Sequence, residues 1–162
     1  MDWYLIAKWL HILSSTVLFG TGMGTAFQMV WAMHLHARTG RVETVHSVAS
    51  GVVMADWLFT TPAGVFQPLS GLWLIHMAGY SLLEPWLIAT YALYILAFCA
   101  WAPVVHLQLR IRDLAGDAAA QQKPLPEQAL RYYRIWFALG WPAFIALTCV
   151  FWLMIAKPDL GF

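Results

Sequence analysis

Charged side chains are scarce: Asp, Glu, Lys and Arg make up 10% of the 162 residues, where soluble domains average about 25%. So few charges cannot cover the surface of a water-soluble globule of this size. The nine Lys and Arg nearly cancel the eight Asp and Glu, so the strongly basic patch of a nucleic-acid binder is missing. Cys99 and Cys149 stand singly inside apolar runs, with no CxxC and no metal-ligand spacing, and read as buried hydrophobes. Phosphate-loop and zinc-protease motifs are absent, and Ser14 and Ser15 beside His11 lack the strand-turn-helix elbow of a serine hydrolase.

Apolar residues fill the space: 61% of the chain is hydrophobic and its mean hydropathy is +0.65. A bilayer crossing needs about 20 mostly apolar residues. Four stretches qualify, roughly 3–33, 48–79, 85–109 and 132–156. Each must satisfy its backbone groups internally, and none alternates like a strand. The expectation is an all-α polytopic membrane protein, a single transmembrane domain over 1–162 built as a four-transmembrane-helix bundle. Met1-Asp2-Trp3-Tyr4 carries no basic leader and no A-x-A-like cleavage site, so the first apolar run is read as a retained span.

Arg38, Arg41, Arg110, Arg112, Lys123, Arg131 and Arg134 flank the connections after the first and third spans, whereas only Lys8 and Lys157 fall on the other side. The positive-inside rule then places both connections in the cytoplasm and both termini outside it. Residues 110–131 read as a cytoplasmic loop without a fold of its own. Trp3, Tyr4, Trp31, Tyr80, Trp86, Tyr132, Tyr133 and Trp136 lie near span ends and read as headgroup anchors.

Three features break the apolar background. The second span contains Pro62, Gly64, Pro68 and Gly71 and is expected to be proline-kinked, with Thr60, Thr61, Gln67 and Ser70 available for freed carbonyls. Asp56 lies in the same span, either as a functional group at membrane depth or as an interfacial carboxylate paired with Arg38 or Arg41. Gly20 and Gly24, four apart, expose one helix face to a neighbouring helix, to a flat cofactor ring or to a second copy in a homodimer.

Six histidines are the richest chemical feature. His11 and His76 fall on the non-cytoplasmic side, at depths of about 12 Å and about 4–5 Å by helical rise. Facing histidines on different helices are how bundle cores hold haem, so His11 with His76 forms a candidate axial pair, and His46 with His106 a second at the opposite edge. His34 and His36 read as solvated helix-end residues. Lys157, followed by Pro158, either closes the last helix or binds a carboxylate of a porphyrin.

Trp9-Leu10-His11-Ile12-Leu13 with Gly20-Thr21-Gly22, Phe59-Thr60-Thr61-Pro62-Ala63 with Gln67-Pro68-Leu69-Ser70-Gly71-Leu72-Trp73-Leu74, and the closing Trp152-Leu153-Met154-Ile155-Ala156-Lys157-Pro158 resemble the DUF2269 family of bacterial integral membrane proteins over nearly the whole chain. The order of these features is more distantly similar to the haem-binding HemJ-type protoporphyrinogen oxidases, and the first-helix His-to-Gly pattern to CopD-type proteins. The HemJ resemblance implies His11 as an iron ligand and matches Lys157-Pro158. The chain departs from it at Thr25-Ala26-Phe27-Gln28-Met29-Val30, where HemJ proteins carry an Arg-rich run, and near Thr90, where they carry a lysine. Both departures weigh against porphyrinogen oxidation.

Two readings follow. In the first, b-type haem lies between the helices for redox chemistry or electron transfer with a quinone or porphyrin, held by His11, His76 and His106 as candidate ligands and by Gly20, Gly24 and Lys157 around the ring. In the second, the protein is a haem-free membrane carrier or assembly subunit whose polar site is Asp56, Gln67 and the broken second span.

Overall fold

The computed structural model describes residues 2–161 as a helical bundle, with no strand among them. Helix α1 runs Trp3–Thr39, α2 Val42–Ala55, α3 Thr61–Ala78, α4 Pro85–Ala120 and α5 Glu127–Ala156. A π-helical turn, Asp56–Thr60, joins α2 to α3 without a break. Local chemistry sets the ends. Asp2 caps α1 by accepting the N–H groups of Tyr4 (3.1 Å) and Leu5 (3.4 Å). Pro85 opens α4, where its missing N–H costs nothing. Gly40 and Gly79 close α1 and α3 at φ 72° and 71°, the left-handed conformation that glycine adopts without strain.

Val42–Ala78, Pro85–Ala120 and Glu127–Ala156 are long and apolar enough to cross a membrane. α1 matches them in length, but Ser14, Ser15, Thr16, Thr21, Thr25 and Gln28 dilute its hydropathy. The bundle wears much of its apolar surface outward, with Leu58, Leu69, Ile95, Trp152 and Ile155 among the exposed side chains, as expected where lipid is the solvent.

The expected loop over 110–131 is mostly helix, and only residues 121–126 separate α4 from α5. The reason is a buried stripe, Val104, Leu107, Ile111, Ala115 and Ala118, which keeps helical period well past the point where hydropathy falls. At 1.5 Å per residue the 36 residues of α4 span about 54 Å, against a hydrocarbon core of about 30 Å. The main core lies at this arginine-rich end, where Met29 and Met33 of α1, Val45 and Val52 of α2, Ile111 of α4 and Ala129 of α5 pack together.

Toward the termini the bundle divides. α1 lies along α3 and α4 along α5, while α1 touches α5 little. A smaller cluster of Ile75, Trp86 and Leu87 packs at that end.

The irregularity expected in the second segment takes a different form from a proline break. At the π turn the Thr61 N–H reaches back five residues to the Asp56 carbonyl, and the helix then runs on through Pro68. Proline at position 68 deprives the Gly64 carbonyl of its N–H donor four residues on. The Tyr94 hydroxyl of α4 donates to that carbonyl, a partner from outside the segment rather than one of the four residues expected to serve.

Candidate functional site

Between α1 on one side and α4 and α5 on the other lies a cavity of about 960 Å³, at the upper end of the range for small-molecule sites. It forms because α1 and α5 barely meet along this stretch. Its wall is almost wholly apolar, and among the described residues no Lys, Arg, His or Glu lines it.

Polar groups gather where the π turn faces α4. Asp56 is only 4% exposed, and its Oδ1 accepts a hydrogen bond from the Thr60 hydroxyl at 2.8 Å. The π turn itself is the positioning element, since both residues belong to it. Gln108 of α4, 2% exposed, stands beside the Asp56 carboxyl. Arg38 and Arg41 take no part; the one ion pair among the described residues joins Arg112 to Asp113. The expected pairing of Asp56 with Arg38 or Arg41 is therefore not made.

Three polar atoms of cavity-lining residues are buried without a partner: Gln108 Oε1, Trp101 Nε1 and Trp136 Nε1. Buried polar groups are nearly always hydrogen-bonded; these three atoms are enclosed by protein and do not open onto the cavity. Trp136, expected as a headgroup anchor, is instead a buried wall residue stacked on Tyr133. Trp86, also expected as an anchor, is buried at the other end.

The histidines lie elsewhere. His11 sits on the α1–α3 seam, its Nδ1 2.7 Å from Ser70 Oγ, while the Gln67 amide donates to the His11 backbone carbonyl at 2.9 Å. Its ring packs beside Gly71, where a Cβ would stand 3.4 Å from His11 Cε1. Ser70 Oγ also lies 2.7 Å from the Phe66 carbonyl. With the hydroxyl proton given to that carbonyl, the oxygen accepts from His11 Nδ1–H, and Nε2 carries the ring's free lone pair.

His76 is exposed in the last turn of α3, six residues and about 9 Å of helix beyond Ser70. His106 is exposed on α4, and His46 Nδ1 meets the Arg112 carbonyl at 3.0 Å. Lys157 donates to the Tyr80 hydroxyl at 2.8 Å and lies over the Tyr80 and Trp86 rings, binding the end of α5 to the α3–α4 connection. Gly20 has nothing near its Cβ position, and Gly24 lines the cavity. Of the residues expected around a haem, Gly24 alone reaches the cavity.

The family described as predicted integral membrane protein (DUF2269) matches residues 5–158. The chain belongs to the DUF2269 family. Comparison with curated proteins and with solved structures found no match. As a DUF2269 protein the chain is an integral membrane protein, and its lipid bilayer is the partner that the family description establishes.

The sequence reading located Asp56 but missed Gln108, Trp101 and Trp136. Gln108 carried a signal, an amide in an apolar stretch two residues before Arg110, but it passed for the end of a span.

Proposed function

We propose that this DUF2269 protein is a membrane carrier or assembly subunit that takes a hydrocarbon-rich ligand from the bilayer into the cavity between α1 and α5. The supporting observation is an apolar cavity of about 960 Å³ whose lining includes the buried Asp56 carboxyl and its partner Thr60. A tail would lie against Phe98, Phe137 and Trp141, and a polar head would meet Asp56, Thr60 and Gln108. In this reading α1 is the fourth crossing, the arginine-rich end is cytoplasmic and both termini face away from it in a bacterial inner membrane.

Gly140 offers the test. It lines the cavity, and a Cβ there would meet nothing within 4 Å, so Gly140→Phe can fill the space without pressing on the fold. In lipid nanodiscs, a hexadecanol bearing a mid-chain diazirine is expected to photolabel cavity-lining peptides of α1 and α5 in the wild type. The variant should lose at least about nine-tenths of that labelling at an unchanged thermal midpoint. Equal labelling of both proteins would sink the carrier reading.

The haem reading keeps one observation in its favour: the Ser70 contact leaves His11 Nε2 free, the orientation that outer hydrogen bonds impose on metal-ligating histidines. Within one chain, however, His11 and the cavity lie apart and His76 is a further turn and a half along α3. The expected set does not fit a haem here. A reduced-minus-oxidised spectrum of purified protein is expected to show no b-type bands; bands that vanish in His11→Ala would reverse the choice.

A further inference from the structure

We propose that the occupant is a lipid of the leaflet on the arginine-rich side, lying with its polar end toward that side and its tail ending at Phe19, an inference that rests on the carrier reading above and names the ligand's source. The cavity is confined to one half of the bilayer. Along α4 its lining runs from Tyr94 to Gln108, nine and 23 residues beyond Pro85, or about 14 Å and about 35 Å by helical rise. With α4 entering the bilayer at its first turn, a hydrocarbon core of about 30 Å has its midplane near Tyr94 and its far boundary just short of Gln108.

Nearer the termini the helices are packed together by Ile75 of α3, Trp86, Leu87 and Tyr91 of α4 and Met154 of α5. Where the cavity begins, Phe19 of α1 stands edge-on to Phe144 at 5.7 Å and to Phe151 at 5.6 Å, both on α5, an arrangement that aromatic rings prefer. Phe144 lies 12 residues before the end of α5, about 18 Å by helical rise, so this contact too falls near the midplane. It bridges two helices that otherwise barely meet. On its arginine-rich side, Met23 and Phe27 of α1 and Phe137 and Trp141 of α5 both line the cavity and lie exposed, so the gap between them opens sideways into the lipid of that leaflet. The polar groups lie at the matching end: Asp56 and Thr60 line the cavity, and Gln108 stands beside the Asp56 carboxyl. A lipid of the arginine-side leaflet already holds its head at that boundary and its methyl end at the midplane, so it can slide in without turning over. A lipid of the opposite leaflet would have to carry its polar head through the contact of Phe19 with Phe144 and Phe151, away from any hydrogen-bonding partner.

The test uses the full chain in phosphatidylcholine nanodiscs with two further forms of hexadecanol, one bearing the diazirine next to the hydroxyl and one bearing it at the methyl end. Labelled residues are located by mass spectrometry, and only labelling that Gly140→Phe removes is counted. The hydroxyl-end probe is expected to mark Val30 and Phe137 severalfold over Phe144 and Leu147, and the methyl-end probe to show the reverse preference. Phe19→Ala should let the methyl-end probe mark Phe151 severalfold more than in the wild type, while the marks of the hydroxyl-end probe stay in place.

The same distribution from both probes, or the inverted one, would overturn this inference and leave the carrier reading standing. Unchanged labelling of Phe151 in Phe19→Ala would overturn the part given to Phe19. Labelling that Gly140→Phe does not reduce for either probe would overturn both the inference and the carrier reading.

Discussion

Ile111→Ala is expected to destabilise the bundle by about 3 kcal/mol, the middle of the range for truncating a fully enclosed aliphatic side chain. Ile111 is 0% exposed and packs in the core of the arginine-rich end with Val45, Val52 and Ala115. It lies 26 residues into α4, about 39 Å from Pro85, and so beyond a hydrocarbon core of about 30 Å if α4 enters the bilayer at its first turn. Water rather than lipid would reach this packing when it opens, and the ordinary hydrophobic driving force applies to it. Ile95 on the same helix is 61% exposed. In the bilayer its methyl groups trade contact with lipid for contact with lipid, so Ile95→Ala should cost less than about 0.5 kcal/mol. For a chain of this length the first change corresponds to about 6–12 °C in thermal midpoint. Scanning both variants in the same detergent checks the contrast, and equal shifts would contradict the placement of the core.

That contrast also explains what could be read from the residues alone. Long apolar runs without strand alternation dictate helices, and the helices are there. Hydropathy ends a span where charge begins, at Arg110, yet the buried stripe through Ile111, Ala115 and Ala118 carries α4 on to Ala120. Its alanines let a partner helix come close while contributing little to a hydropathy profile, so a helix that continues past the apolar run reads as a loop. The site divided along the same line. Asp56 stands out because a carboxyl in an apolar run is costly, but the burial of Gln108 and Trp136 follows from how α4 and α5 pack on their neighbours. A tryptophan near a span end looks like an anchor until the neighbouring helix is known. His11 drew attention by residue type, and its partners Ser70 and Gln67 lie nearly 60 positions away, on a helix whose register depends on the turn before it.

Deleting Leu58 should therefore change the site more than the fold. The π turn Asp56–Thr60 accommodates one residue more than an α-helical ladder would, and Leu58 within it is 61% exposed. Removing one residue lets the turn close to α geometry while the helices on either side keep their faces, because the extra residue is what the wide turn absorbs. α2 stays in the arginine-rich core through Val45, Ala49 and Val52, Gln67 and Ser70 stay at His11, and the Gly64 carbonyl stays at Tyr94. The change falls on the turn itself, where Asp56 and Thr60 come to stand three rather than four positions apart and the carboxyl loses the geometry that the wide turn gives it. The expected outcome is weaker cavity labelling by the diazirine hexadecanol with a fall in thermal midpoint smaller than that of Ile111→Ala. Leu58→Ala keeps the residue count and should change neither quantity appreciably, which separates the turn from the side chain. A deletion variant that labels like the wild type would mean that the π turn has no role in aiming Asp56 into the cavity, and one that melts as low as Ile111→Ala would mean that α3 does not keep its face on α1 when the turn closes.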